Sequence, residues 1–499
     1  MVIVGVGVCM ALIAAIGVLS ARRVRGDSTN YLVAGRSLPA AMVATLLVSQ
    51  AVDSNATLGN ADLAAGFGFW AGAALPLGLA LCLLLLGLFF ARRIRASGAV
   101  TLPEFFQRRF GQGTRLAASA LTVGSFAILL AGNLVAVGFL FEHFSGLSYA
   151  TGIWLTIPLA VLYTLFGGMF AGLSTGLAQF ALNTVGIVAL TIWMATSHGF
   201  TIPEGLGPGD LEQLTSTEHG AAINWATLIA LGLGNLVAID LTQRIFSARS
   251  PRDARTAALS ASAGIVVFCL PLSFVALAAV SVVGDRAADG PILYVLLGDH
   301  APTWLAVLVI SGLLAASLTT IGGILLATSS VVVRDVLRVD DGAEVMTPRV
   351  LRATRLVMPP IALAATVVAL RVPQTGILLT LTFDLLLASL IAPFILGTFW
   401  RRGGARAAGA AIVVGIAVRL VCFVFTPTIY GTENTLLHVS NDWLSSSIDG
   451  WSTFLAAGAS LLAYLTVAAF EPVPARRTEE RPTEPTAPAA ADAGLAPAR

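Results

Sequence analysis

At 499 residues the chain is long enough for three soluble domains, yet 57% of it is hydrophobic and only 11% is charged. Apolar runs of about twenty residues recur from end to end, which excludes a soluble globular protein and specifies an all-α, polytopic membrane protein. The net charge of +2 gives no reason to expect a nucleic-acid partner.

About thirteen spans are predicted, at 2–20, 40–66, 70–91, 114–142, 148–166, 172–196, 224–243, 256–283, 303–333, 354–371, 376–399, 404–426 and 451–470. The first has no basic segment before it and its arginines follow it. It reads as an anchor helix with its N-terminus outside rather than as a cleaved signal peptide. The second contains SQAVDSNATLGN, Ser49–Asn60, a polar stretch carrying Asp53. A carboxylate near the middle of a span costs roughly 2.5–3.5 kcal/mol on insertion scales, so it reads first as part of an ion or substrate path. Gly59 and the short polar residues around it signal a helix broken at that depth, which is tolerated only where it lines a cavity. Gln50, and Asn133 in the fourth span, could add amide contacts to a solute.

In the seventh span, GLGNLVAID places Gly232, Gly234 and Asn235 at a second break, symmetric with the first. Paired interruptions in two halves point to a transporter's binding site; close helix packing at small residues is the competing reading. Asp240 lies four residues before Arg244 and reads as a structural helix pair. The ninth span holds AASLTTIGG, in which Ala316, Thr319 and Thr320 are spaced i, i+3, i+4 on one face. Ser49 and Val52 have the same i, i+3 relation. Na⁺ takes about five or six oxygens, which threonine hydroxyls and carbonyls freed at a helix break can supply. Against this, Ser and Thr in spans often bond the carbonyl four residues back or join helices. Asp384 lies in the eleventh span. With Asp53 it suggests a cationic or amine-bearing solute, or a protonatable coupling site. The alternative is that these acids cap a helix break or pair with a buried hydroxyl or Arg419.

Charge placement tests this order of spans. There is no lysine, and with alternating sides 26 of the 29 arginines, including Arg22, Arg23, Arg25, Arg244 and Arg401, fall on one side. That is the cytoplasmic side by the positive-inside rule. The loop 198–223 carries Glu204, Asp210, Glu212 and Glu218 and reads as a solvated outer loop or a cation-attracting vestibule. The five histidines have no metal-ligand spacing and the four cysteines no CxxC spacing. The segment 471–499, rich in Pro, Ala and Glu, is expected to be a disordered cytoplasmic tail. No GxxxxGK[ST] loop is present, which speaks against ATP-driven pumping.

Six stretches, in order, carry a family resemblance: NYLVAGRSLP (Asn30–Pro39), TLPEFFQRRFG (Thr101–Gly111), LYTLFGGMFAGLSTGLAQ (Leu162–Gln179), LTQRIFSARSPRDAR (Leu241–Arg255), the ninth span closing with Arg334–Asp335, and APFILGTFWRR (Ala392–Arg402). The chain resembles the sodium:solute symporters, which include sodium–glucose, proline, pantothenate, sialate and choline transporters. The resemblance implies a LeuT-type core at 38–402, made of inverted five-helix repeats at about 38–196 and 224–402. One helix (1–21) precedes it and two (403–470) follow it. It also implies a sodium site built from main-chain oxygens of Ser49, Val52 and Ala316 with the hydroxyls of Thr319 and Thr320. Where the family has Thr-Asp, this chain has Thr175–Gly176, so a single Na⁺ per cycle is expected.

The expected function is Na⁺-coupled uptake of a small organic solute by alternating access across the cell membrane. The solute would be bound among Gln50, Asp53, Asn133, Gly232, Asn235 and Asp384. The expected partners are Na⁺, the solute and the bilayer, with no catalytic residue, no cofactor and no obligate protein partner. Proton coupling through Asp53 or Asp384 is the alternative within transport. A membrane sensor domain is a further alternative, against which the short tail speaks. A channel is a third, against which an ion site and helix breaks in both halves speak.

Overall fold

The computed structural model describes residues 2–20, 28–97, 99, 101–339, 348–400, 402–434 and 438–471. The expected arginines at 22, 23, 25 and 401 and the expected tail beyond Glu471 lie outside these residues. Helix α1 (Val2–Ser20) is followed by the short α2 (Ser28–Val33) and then by α3 (Ala40–Ala51) and α4 (Ser54–Phe67), which together form the second predicted span. Helix α5 (Phe69–Leu85) passes through a π-helical turn into α6 (Ala91–Ala96), and α7 (Pro103–Phe110) leads into the long α8 (Gln112–Ser145). The fifth and sixth predicted spans are joined in α9 (Tyr149–Ser197), which is broken at Gly168, φ 51° and ψ −141°. That backbone is open to glycine and strained for other residues. Tyr31 packs against Gly168 and donates its hydroxyl to the Thr164 carbonyl at 2.8 Å.

The second half begins with α10 (Glu212–Thr215) in the outer loop. Helices α11 (Ala221–Leu233) and α12 (Ile239–Ser247) then meet at a 49° bend. Next come α13 (Pro251–Val283), the short α14 (Ile292–Asp299) and α15 (Thr303–Val331), which ends in a second π-helical turn, Val332–Val336. Helix α16 (Pro348–Arg371) precedes α17 (Thr375–Ser389) and α18 (Ile391–Phe399), which meet at a 50° bend. Helices α19 (Ala405–Phe425) and α20 (Trp451–Phe470) close the order, with a two-residue hairpin, Thr428–Ile429 on Thr432–Glu433, between them. The hairpin's turn residues Tyr430 and Gly431 both have positive φ, as a tight primed turn requires.

Among the described residues, eight helices are long and apolar enough to cross a membrane, or ten if each bent pair is one span. Three shorter apolar helices, Val2–Ile13, Ala40–Ala51 and Tyr149–Leu162, fall on the other predicted spans. Side chains cap three of the long helices: Asp53 for α4, Ser148 for α9 and Ser250 for α13. Helix α3 packs on α9, α13 and α15, while α4 packs on α5, α8, α13 and α17. The broken second span therefore lies at the centre of the fold. At the end of α15 bearing the arginines, Arg115 donates to Asp335 at 2.7 Å and to the Arg334 carbonyl at 2.8 Å, and Arg334 pairs with Glu104 at 3.0 Å. These bonds tie α15 to α7 and α8.

Candidate functional site

The second span breaks where its polar residues stand. Val52 (φ −96°, ψ 67°) and Asp53 (φ −90°, ψ 178°) leave helical geometry between α3 and α4. The last turn of α3 thereby loses intrahelical donors for its carbonyls. Gln179 of α9 answers two of them, its Nε2 donating to the Ser49 carbonyl at 2.9 Å and to the Val52 carbonyl at 3.3 Å. Its Oε1 is buried without a hydrogen bond among the described residues. On the same face of α9, Thr175 receives the Thr319 hydroxyl of α15 at 3.4 Å. Gly176 lies so close to Ser49 that a Cβ there would come within 2.9 Å of its hydroxyl. Helices α3, α9 and α15 thus converge on one locus, with Ser49 and Val52 at one side and Thr319 at the other.

Thr319 and Thr320 of α15 separate the two readings left open by spacing. Buried threonines elsewhere in the spans return their hydroxyls to the carbonyl four residues back, among them Thr122, Thr156, Thr328, Thr366 and Thr382. Thr319 instead points at α9, and the fully buried Thr320 hydroxyl has no hydrogen bond among the described residues. Oxygens withheld from their own helix inside a buried site are what a hard cation uses. Ala316 is fully buried one turn before Thr320.

Asp53 is the N-cap of α4. Its Oδ1 accepts from the Ala56 amide at 2.7 Å, and its Oδ2 accepts from Asn133 of α8 at 2.7 Å. No arginine pairs with it among the described residues. The structure therefore brings Asp53 and Asn133 together. Asn55 joins them: it is fully buried, its side-chain amide makes no hydrogen bond among the described residues, and it occupies the space beside Gly132. Gln50 accepts from the buried Arg244, which also donates to the Asp240 carbonyl at 2.9 Å. Gly323 of α15 packs directly on this pair. At the second break, Gly234–Val237 form a 3₁₀ turn, Ala238 is extended, and the Asn235 side-chain oxygen is buried without a hydrogen bond among the described residues.

Two of the named residues are placed elsewhere. Gly232 faces Leu81 of α5, where a Cβ would come within 2.8 Å of that side chain. Asp384 is bonded to Arg419 of α19, with side-chain exposures of 0% and 4%. Sequence reasoning has Gln179 face neighbouring helices, as it does in bonding α3, but does not place it or Thr175 beside the candidate sodium locus. Their i, i+4 spacing was the available signal, but spacing does not say which helix lies opposite.

Two cavities, of about 410 and 360 Å³, lie above the break, on the side of the loop 198–223. They share Leu63, Phe67, Gly376 and Ile377 in their walls. Gly59 also lines the larger one, and there the α4 backbone touches the α17 backbone at Gly376.

Comparison with known proteins gives the same frame. The sequence model of the sodium:solute symporter family matches residues 31–415. The chain is 25% identical over 414 residues to the high-affinity proline transporter PutP of Bacillus subtilis, covering 79% of this chain and 86% of that one. It is 22% identical over 432 residues to the high-affinity choline transporter 1 of Drosophila melanogaster, covering 82% and 69%. Among solved structures, the substrate-bound, outward-open state of a Na⁺-coupled sialic acid symporter superposes with a TM-score of 0.74 at 17% identity, covering 95% of this chain and 98% of that one. MhsT in complex with L-phenylalanine gives 0.54 at 14% identity, covering 85% and 97%. At these identities the two structures bear on the fold alone, which is of the LeuT type.

Proposed function

Because this chain belongs to the sodium:solute symporter family, and is a multi-pass membrane protein that moves a small solute with Na⁺, we propose how its own residues divide that work. Na⁺ is held where α3, α9 and α15 converge, by the Ser49, Val52 and Ala316 carbonyls and the Thr319 and Thr320 hydroxyls. The solute binds beside the break, in reach of Asp53, Asn133, Gln50 and Asn235. Gly232 and Asp384 act from the surrounding packing. The observation that carries the sodium assignment is the pair of α15 threonines that do not bond their own helix. Gly176 supports one Na⁺ per cycle, since Ser49 fills the space into which a side chain at 176 would grow. The asymmetry of the arginines supports an N-terminus outside, which puts the two cavities on the outer face. The core bundle then rocks against the scaffold around the site, within the core formed by the repeats at 38–196 and 224–402.

Thermal unfolding of the purified protein with and without Na⁺ tests this assignment, since a ligand that binds the folded state raises Tm. The wild type should show a Na⁺-dependent rise. Thr319→Ala should lower the apparent Na⁺ affinity about tenfold or more, the scale of one hydrogen-bonding oxygen to a charged partner. Thr366→Ala, where the hydroxyl is spent on its own helix at 2.8 Å, should leave it unchanged. Equal behaviour of the two variants would remove the threonines from the site.

A further inference from the structure

In a LeuT-type core the N-terminus of a half-helix is the positive end that attracts an anionic group of the solute. Here that end of α4 is already occupied. Asp53 is its N-cap, with one carboxylate oxygen on the Ala56 amide and the other on Asn133. A solute carboxylate brought to the same place would meet a buried carboxylate instead of free amides. A cation would meet an acceptor with no arginine beside it.

A second carboxylate stands on the approach. Asp62, half-buried on α4, lines the 410 Å³ cavity together with Gly66, Phe139 and Gln374. Its Oδ1 accepts from the Ile292 amide at the start of α14 at 2.9 Å. Its other oxygen makes no hydrogen bond among the described residues. Helix α8 connects the two acids. Asn133 bonds Asp53, the Ala136 carbonyl receives Tyr294 of α14 at 3.1 Å, and Phe139 walls the cavity. At 1.5 Å per residue, Asn133 and Phe139 are about 9 Å apart along that helix. The wider surface has the same sign. On the side opposite the arginines, segments 142–147, 198–220, 284–302, 371–375 and 426–450 carry eleven carboxylates and two arginines. One of those two, Arg286, is paired with Asp289 at 3.1 Å and Asp299 at 2.8 Å.

We propose that the solute is an organic cation without a carboxylate, met first by Asp62 in the outer cavity and then by Asp53 at the break. This rests on the reading of the break as the solute site. The acidic outer face concentrates cations at the mouth of the cavity, Asp62 offers its spare oxygen, and Asp53 takes the charge where water is excluded.

Matched pairs of probes isolate the carboxylate: choline against trimethylglycine, and ethanolamine against glycine. Each is measured on the full-length protein by Na⁺-dependent thermal shift, and by competition in liposomes under an inward Na⁺ gradient. At least one cation should bind, with its carboxylated counterpart weaker by about tenfold or more, the scale of one lost charge-assisted bond. A carboxylated member that binds as well as its partner overturns the inference, as does a panel in which neither cation binds. Na⁺ alone, read on the wild type and Thr319→Ala, reports on the sodium assignment separately.

Two variants test the acids, and asparagine preserves both caps because its oxygen still accepts a backbone N–H. Asp53→Asn should abolish the preference within each pair. Asp62→Asn should raise KM for the cation about tenfold while leaving kcat and the Na⁺-dependent Tm rise intact. An unchanged preference in the first would remove Asp53 as the selector. An unchanged KM in the second would remove the outer contact. The retained Na⁺ response shows that each variant is folded.

Discussion

Replacing Arg419 by leucine should destabilise the protein by about 3–5 kcal/mol, the cost of leaving a buried charge without its partner. Arg419 and Asp384 are both buried and bonded to each other, and they join α17 to α19. The crossing of these helices is tight, since a Cβ on Gly415 would strike the Ala388 carbonyl, so water has no easy route to the abandoned carboxylate. The double variant Arg419→Leu, Asp384→Leu removes both charges and should recover most of the loss, because paired buried ions contribute little net stability. Thermal unfolding of the single and double variants in detergent checks this. A double variant as unstable as the single would show that the acid does more than balance the arginine.

Gly59→Val should abolish transport. A Cβ at Gly59 would run into the backbone of Gly376, coming within 2.8 Å of its nitrogen. A backbone cannot swing aside as a flexible side chain can. Overpacking in a tight core costs about 1–3 kcal/mol, and here the strain falls between α4, which carries the break, and α17. Uptake in liposomes should fall to background while the variant remains inserted. Gly124→Ala, at an α8 position with nothing within 4 Å of the added methyl, is the control and should transport normally. Uptake by Gly59→Val near the wild-type rate would show that the two helices separate more readily than their contact indicates.

The spans were legible because a membrane helix must be apolar along its whole length, so each exception stands out. Asp53 in the second span and the Gly–Asn pair in the seventh were such exceptions and both stand at real breaks, whereas Gly59, also read as a sign of the break, lies within α4. The bend between α17 and α18 escaped notice because its residues are apolar on both sides. Its signal was Pro393, which has no N–H to offer the Ser389 carbonyl and weakens the helix there. The shared face of Ala316, Thr319 and Thr320 was legible from spacing. That Thr175 and Gln179 stand opposite was not, because one helix's periodicity carries no record of its neighbour's rotation. Asp384 and Arg419 are 35 residues apart, and the sequence offered their pairing only as one of several options.

The bond from Asn133 to Asp53 has a mechanical side. It links α8 to the N-cap of α4, so any motion of one helix past the other must stretch it. Hydrogen bonds to charged groups are worth about 1.5–3 kcal/mol, similar to the few kcal/mol that separate alternating conformations of a protein. A single side-chain amide therefore works as a clutch. Engaged, it favours one arrangement of the two helices. If the solute is the cation proposed, its charge at the carboxylate would replace what the amide supplies and let the helices slip.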